Sequence, residues 1–130
     1  MNFEVILRTI VEGCGGGIGA ALMGNDGIPI EEFTASKAPG GSPAGDFGQP
    51  VEVATAGVEF GRTLMDIRRA SDALGGGALE ETIIRVKGFM LIFQPIDDEN
   101  FLVLALARDG NLGKARYLIR RHVHAIRQEF

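Results

Sequence analysis

Apolar residues open the chain with a helical rhythm. Phe3, Ile6, Leu7, Ile10 and Val11 stand at i, i+3, i+4, i+7 and i+8, which places them on one helical face. Gly13 is expected to stop that helix, because glycine accepts the left-handed backbone of a helix end. Short apolar runs follow. Ile18 to Met23 reads as a strand, Gly24-Asn25-Asp26-Gly27 as a tight turn, and Ile28 to Thr34 as the returning strand. Pro29 cannot donate a ladder hydrogen bond, so an irregularity or an edge position is expected there. The helical period returns from Val51 to Leu74, and Gly75-Gly76-Gly77 ends it. Leu79–Lys87, Phe89–Ile96 and Phe101–Leu106 read as strands, with turns at Gly88 and at Asp97-Asp98-Glu99-Asn100. Asn111 suits the N-cap of a last helix that starts at Leu112.

Short turns join the strands within each group, so neighbours should be antiparallel. The expected fold is α+β in the order α-β-β-α-β-β-β-α. A single five-stranded antiparallel sheet would carry the long helix on one face and the first and last helices on the other. A length of 130 residues suits one domain, residues 1–130. Ala35 to Pro50 holds three prolines and four glycines and is longer than most connections. It reads as a flexible surface insertion or as a contact loop.

The long helix is the informative element. With Val53 at zero, Gly57, Phe60, Leu64, Ile67 and Leu74 cluster around it, and Ala54, Val58, Gly61 and Met65 extend the same face. The apolar arc is roughly 200° wide, about twice what a helix resting on one sheet requires. One half can cover the sheet and the other asks for a second cover. Ala54, Gly57 and Gly61 would let another backbone approach closely, and glycine inside a helix costs about 1 kcal/mol relative to alanine. A second copy of the same helix in a two-fold dimer fits this demand, although a helix buried within its own chain is also broadly apolar. Leu79–Lys87 alternates in polarity; at a sheet edge it could pair with its symmetry mate. The candidate dimer interface is Ala54, Gly57, Val58, Gly61, Met65 and Arg68 on the helix, with Ile83 and Arg85 on the strand.

Charge narrows the partners. Residues 112–130 carry Lys114, Arg116, Arg120, Arg121 and Arg127 against Glu129, or +4, which leaves −8 for the rest of a chain whose net charge is −4. Such a chain is a poor general nucleic-acid binder. Arg116, Arg120 and Arg127 form a stripe on the last helix, which reads as a solvated face or as steering for an acidic partner. No apolar run is long enough for a membrane span, the N-terminus lacks a basic signal-peptide region, and Cys14 is the only cysteine. These features point to a cytoplasmic protein without membrane insertion.

Catalytic chemistry is hard to assemble from these residues. Gly15-Gly16-Gly17-Ile18-Gly19-Ala20 holds G-x-G-x-x-A, but a helix precedes it and a strand follows. A phosphate loop needs the reverse order, so that a helix N-terminus faces the anion. The glycines are expected to turn the chain, and Gly19, Ala20 and Ala21 to let a helix lie close. His122 and His124, at i and i+2, point apart on a helix and cannot share a metal. Cys14 has no histidine nearby and is expected to be buried and inert. No metal, cofactor or catalytic residue is expected.

The segments AALMGNDGIPI (Ala20–Ile30), VATAGVEFGRTLMDIRRASDALGGG (Val53–Gly77) and ETIIRVKGFMLIFQPIDDENFLVLAL (Glu81–Leu106), in this order and spacing, resemble the roadblock/dynein-light-chain domain family. The resemblance covers nearly the whole chain and departs in the longer loop. It implies a non-enzymatic homodimer. Among bacterial members the chain is similar to the gliding-motility polarity regulator of a Ras-like GTPase. That similarity implies a regulator or scaffold for a small Ras-like GTPase, docked on the face of the paired long helices. Glu59, Arg62, Asp66, Arg69 and Ala73 would be exposed near that face. Arg62 or Arg69 as an arginine finger is a weaker reading than a solvated arginine. The alternative function is a small-ligand sensor or a generic protein-interaction module of the same fold.

Overall fold

The computed structural model describes residues 2–35 and 52–130. Its elements are α1 (Phe3–Gly13), β1 (Gly17–Gly24), β2 (Pro29–Thr34), α2 (Val53–Ala73), β3 (Thr82–Arg85), β4 (Phe89–Pro95), β5 (Asn100–Ala107) and α3 (Leu112–Gln128). The five strands form one antiparallel sheet in the order β2-β1-β5-β4-β3. This is the expected α+β layout. Apart from Ala35, the loop expected over Ala35–Pro50 lies outside the described residues, as does Val51.

Local chemistry sets the element ends. The Asn2 side chain accepts the Val5 N–H at 2.9 Å and caps α1. The Asn111 side chain accepts the Lys114 N–H at 3.0 Å and caps α3. Each cap satisfies a donor that the helix cannot. Gly13, however, belongs to α1, and the residue with positive φ is Gly16, at 86°. Gly16 takes the turn because its backbone presses on the β5–α3 connection: a Cβ there would lie 2.7 Å from the Gly110 Cα. The Gly15 and Gly16 carbonyls accept the N–H groups of Asn111 and Ala107 at 2.7 and 2.8 Å. Gly19 abuts the neighbouring strand at Phe33 and not a helix.

Two apolar layers sandwich the sheet. Ile6, Leu7, Ile10 and Val11 of α1 and Ala115, Ile119, Val123 and Ile126 of α3 pack on one face against Leu22, Ile92, Leu102, Leu104 and Leu106. Val53, Ala56 and Leu64 of α2 pack on the other against Met23, Leu91, Phe93, Phe101 and Val103. Each large side chain so buried contributes roughly 1.5–3 kcal/mol of transfer free energy. Both faces being covered, the central strands read as continuous apolar runs, not as alternations.

The two edges differ. On β2, the register shifts between Leu22 and Met23, opposite Pro29, and the strand carries Glu31 and Glu32. A proline, a bulge and charge all discourage further pairing. The β3 edge, Thr-Ile-Ile-Arg, has neither proline nor bulge and a single charge, Arg85. It is shorter than the expected Leu79–Lys87: Glu81 is held by Arg116 before it, and after it the Val86 N–H turns to the Phe89 carbonyl at 3.1 Å.

Candidate protein-interaction site

Helix α2 runs over β1, β5 and β2, so the margin toward β3 is thinly covered and Ile84 and Phe89 are only half-buried there. Its sheet-facing line is Val53, Ala56, Gly57 and Leu64. Ala54, Val58, Gly61, Met65 and Arg68 are half-buried along one flank. Met65, Arg68 and Gly61 border a small pocket shared with Leu79, Thr82, Phe93 and Phe101, with a volume of about 30 Å³.

The structure separates the candidate interface residues into three groups. Val58, Met65 and Arg68 lie on the flank with Ala54. Gly57 is committed to this chain's own sheet: a Cβ there would meet the Met23 sulfur at 2.2 Å. Gly61 faces the Phe101 ring at 3.5 Å, an ordinary contact. The packing reason for a glycine inside this helix is therefore Met23, not another helix. Ile83 and Arg85 sit on the β3 edge, with Ile83 packed toward the α1/α3 layer and Arg85 exposed. Two residues read as sheet-covering are instead outward: Ile67 is 39% and Leu74 85% exposed. Leu74 lies past the helix, at its C-cap, where no sheet remains beneath it.

Glu59, Arg62, Asp66, Arg69 and Ala73 fall on a single outward stripe of α2, all exposed. Arg69 and Asp66 pair with each other. Such an exposed pair adds little stability, so both charges stay available to a partner.

An open, charged trough of about 970 Å³ runs from the C-terminal part of α2, past residues 77–81 and the β4–β5 turn, to α3. Arg116 closes one side through a forked contact with Glu81: Nε lies 3.1 and 3.0 Å from the two carboxylate oxygens and Nη2 2.9 Å from Oε1. That hydrogen bond and the carboxylate charge raise the Arg116 pKa further above its ordinary range. Arg127 donates to the Ile96 carbonyl at 2.7 Å. Two of the three arginines read as a free stripe are therefore engaged.

The acidic turn Asp97-Asp98-Glu99 is exposed and internally hydrogen-bonded. The Asp97 carboxylate accepts the N–H groups of Glu99 and Asn100, each at 2.8 Å, and the Asn100 side chain. Desolvation works upward on Asp97, but those hydrogen bonds and the charge of Arg127 outweigh it and hold the carboxyl below its ordinary 3.8. Across the sheet end, Asn25 donates through its side chain to the Asp98 carbonyl and through its N–H to the Glu99 carbonyl, both at 2.8 Å. The pattern Asp-x-x-Asn alone signals the Asx-type turn. Nothing in the sequence signals its tie to Asn25. Cys14 is buried, and that burial pushes its thiol above the ordinary value. His122 Nδ1 lies 2.8 Å from the Leu118 carbonyl, while His124 is exposed.

This architecture, a sheet with one long helix opposite two others and an outward helical stripe, is the roadblock/LC7 fold. The chain is similar to MglC from Myxococcus xanthus, with 28% identity over 100% of both chains and a TM-score of 0.68. It is also similar to a Roadblock/LC7 domain from Streptomyces avermitilis, at 13% identity over 98% of this chain and 97% of that one, TM-score 0.77. The gliding protein MglB from Thermus thermophilus aligns at 18% identity over 96% of this chain and 85% of that one, TM-score 0.78. No family model and no curated protein sequence matches the chain. Among the described residues no helix is long and apolar enough to cross a membrane.

Proposed function

We propose that this chain is a non-enzymatic homodimeric regulator or scaffold in the cytoplasm that binds a small Ras-like GTPase on its α2 face. One observation carries the reading. Val58, Met65 and Arg68 stay half-exposed along an apolar layer, beside a β3 edge that has neither proline nor bulge. A second copy placed there would cover the flank of Ala54, Val58, Gly61, Met65 and Arg68 and join β3 to β3 through Ile83 and Arg85. The stripe of Glu59, Arg62, Asp66, Arg69 and Ala73 would then lie on the shared outer surface and meet the GTPase. The likeness to MglC along its whole length supports this, as does a neighbouring structure described as MglB with a tetrameric arrangement.

The small-ligand reading gains no support from the cavities. The pocket beside α2, about 30 Å³, is far below the roughly 300 Å³ at which ligand sites begin. The larger trough is open and lined by charge.

The test is a pull-down and light-scattering series with a purified Ras-like GTPase, loaded either with a non-hydrolysable GTP analogue or with GDP. A complex that prefers one nucleotide state, and is lost on Arg62→Glu or Arg69→Glu, is expected. Added chain should change the hydrolysis rate if it activates and leave it unchanged if it only tethers. A monomeric chain that binds neither loaded form would overturn the reading.

A further inference from the structure

The solvent face of α3 lies on the side of the sheet opposite α2 and takes no part in the proposed dimer or GTPase contacts. None of the 17 residues of α3 is acidic. Its apolar side, Ala115, Ile119, Val123 and Ile126, is spent on the core. Outward it presents Lys114, Tyr117, Arg120, Arg121 and His124, all exposed. Arg116 and Arg127 are engaged by Glu81 and the Ile96 carbonyl, whereas Lys114, Arg120 and Arg121 have no carboxylate partner among the described residues. Arg121 donates to the Tyr117 hydroxyl at 3.0 Å, which holds a guanidinium against an exposed ring.

We infer that this face is a second docking surface, for an acidic segment of a protein partner. Arginine and tyrosine are the side chains that carry most energy at protein interfaces, and here they stand with lysine on one straight rod. Charge complementarity selects the partner. A membrane surface suits the face poorly: the apolar side that would insert is already buried, and no exposed aliphatic side chain lies among the cations. Nucleic acid suits it poorly too, because the remainder of the chain carries −8 and would repel a long polyanion. A short acidic segment meets the local field without the distant one. Since α2 and α3 lie on opposite faces of the sheet, both surfaces can be occupied at once. This inference goes beyond the GTPase reading and stands without it.

The test is fluorescence anisotropy of the full chain with a labelled glutamate-rich peptide. Phosphatidylglycerol vesicles and duplex DNA serve as competing probes. Saturable peptide binding that weakens as salt rises is expected. Arg120→Glu or Arg121→Glu should each weaken it about fivefold, and the triple reversal with Lys114→Glu on the order of a hundredfold. Arg120→Gln and Arg121→Gln should show smaller losses, and Lys87→Glu on the β3–β4 turn should show none. Circular dichroism checks that each variant stays folded. Absence of peptide binding, equal loss in Lys87→Glu, or vesicles or DNA displacing the peptide at lower concentration would overturn the proposal.

Discussion

A methyl group on Gly57 would come within 2.2 Å of the Met23 sulfur, whereas one on Gly61, a helical turn later, would rest 3.5 Å from the Phe101 ring. The two glycines share a helix and differ in what lies beneath them. Met23 is fully buried, so its thioether must shift within a packed layer to make room. Overpacking costs about 1–3 kcal/mol, against roughly 1 kcal/mol gained from helix propensity. Gly57→Ala is therefore expected to destabilise the fold by about 1 kcal/mol and Gly61→Ala to stabilise it by up to about 1 kcal/mol. Urea unfolding at a fixed protein concentration measures both.

Acid should loosen the β4–β5 turn before the core. The Asp97 carboxyl titrates below its ordinary 3.8 in the folded chain. The unfolded chain therefore takes up that proton first, and the contribution is complete above pH 3.8. It is lost as pH falls from there through the folded value. Amide exchange at Glu99 and Asn100 should rise over that window. Asp97→Ala, which removes the acceptor at every pH, should already show fast exchange at neutral pH and cost about 1 kcal/mol, in the range of hydrogen bonds to an exposed turn.

Met65→Glu tests the second copy. Met65 is half-exposed, so a carboxylate there can reach water in an isolated chain but not in a covered flank. Light scattering is expected to give a dimer for the unmodified chain and a folded monomer for the variant. A dimer that persists unchanged would place the contact elsewhere.

Cys14 should be slow to react. It is buried, its thiol is held above the ordinary value, and its Sγ lies 3.6 Å from the Val11 carbonyl. A thiol reagent at neutral pH is expected to label it on the timescale of unfolding, and at once in denaturant.

Element order, the three turns between strands, the Asn111 cap and the irregularity at Pro29 were legible because each is local. Asn111 caps whatever follows it, and Pro29 lacks an N–H in any setting. Glu59, Arg62, Asp66, Arg69 and Ala73, carried over from the roadblock resemblance, do fall on the exposed side of α2. What failed depended on partners distant in sequence. Glu81 claims Arg116 from 35 positions away, and Met23 explains Gly57 across the β2–α2 connection. Asn25 reaches the turn at Asp98 over 73 positions. No periodicity carries such pairings, so it took the fold to show that Lys114, Arg120 and Arg121 of α3 have no carboxylate partner among the described residues.

The unequal borders of the sheet decide how large an edge-to-edge assembly can become. A ribbon that can be joined from one side only makes a pair and then stops. Two such chains would meet through β3 and leave β2, with its proline and glutamates, at both outer ends. Growth into a fibre would first require a change at Pro29.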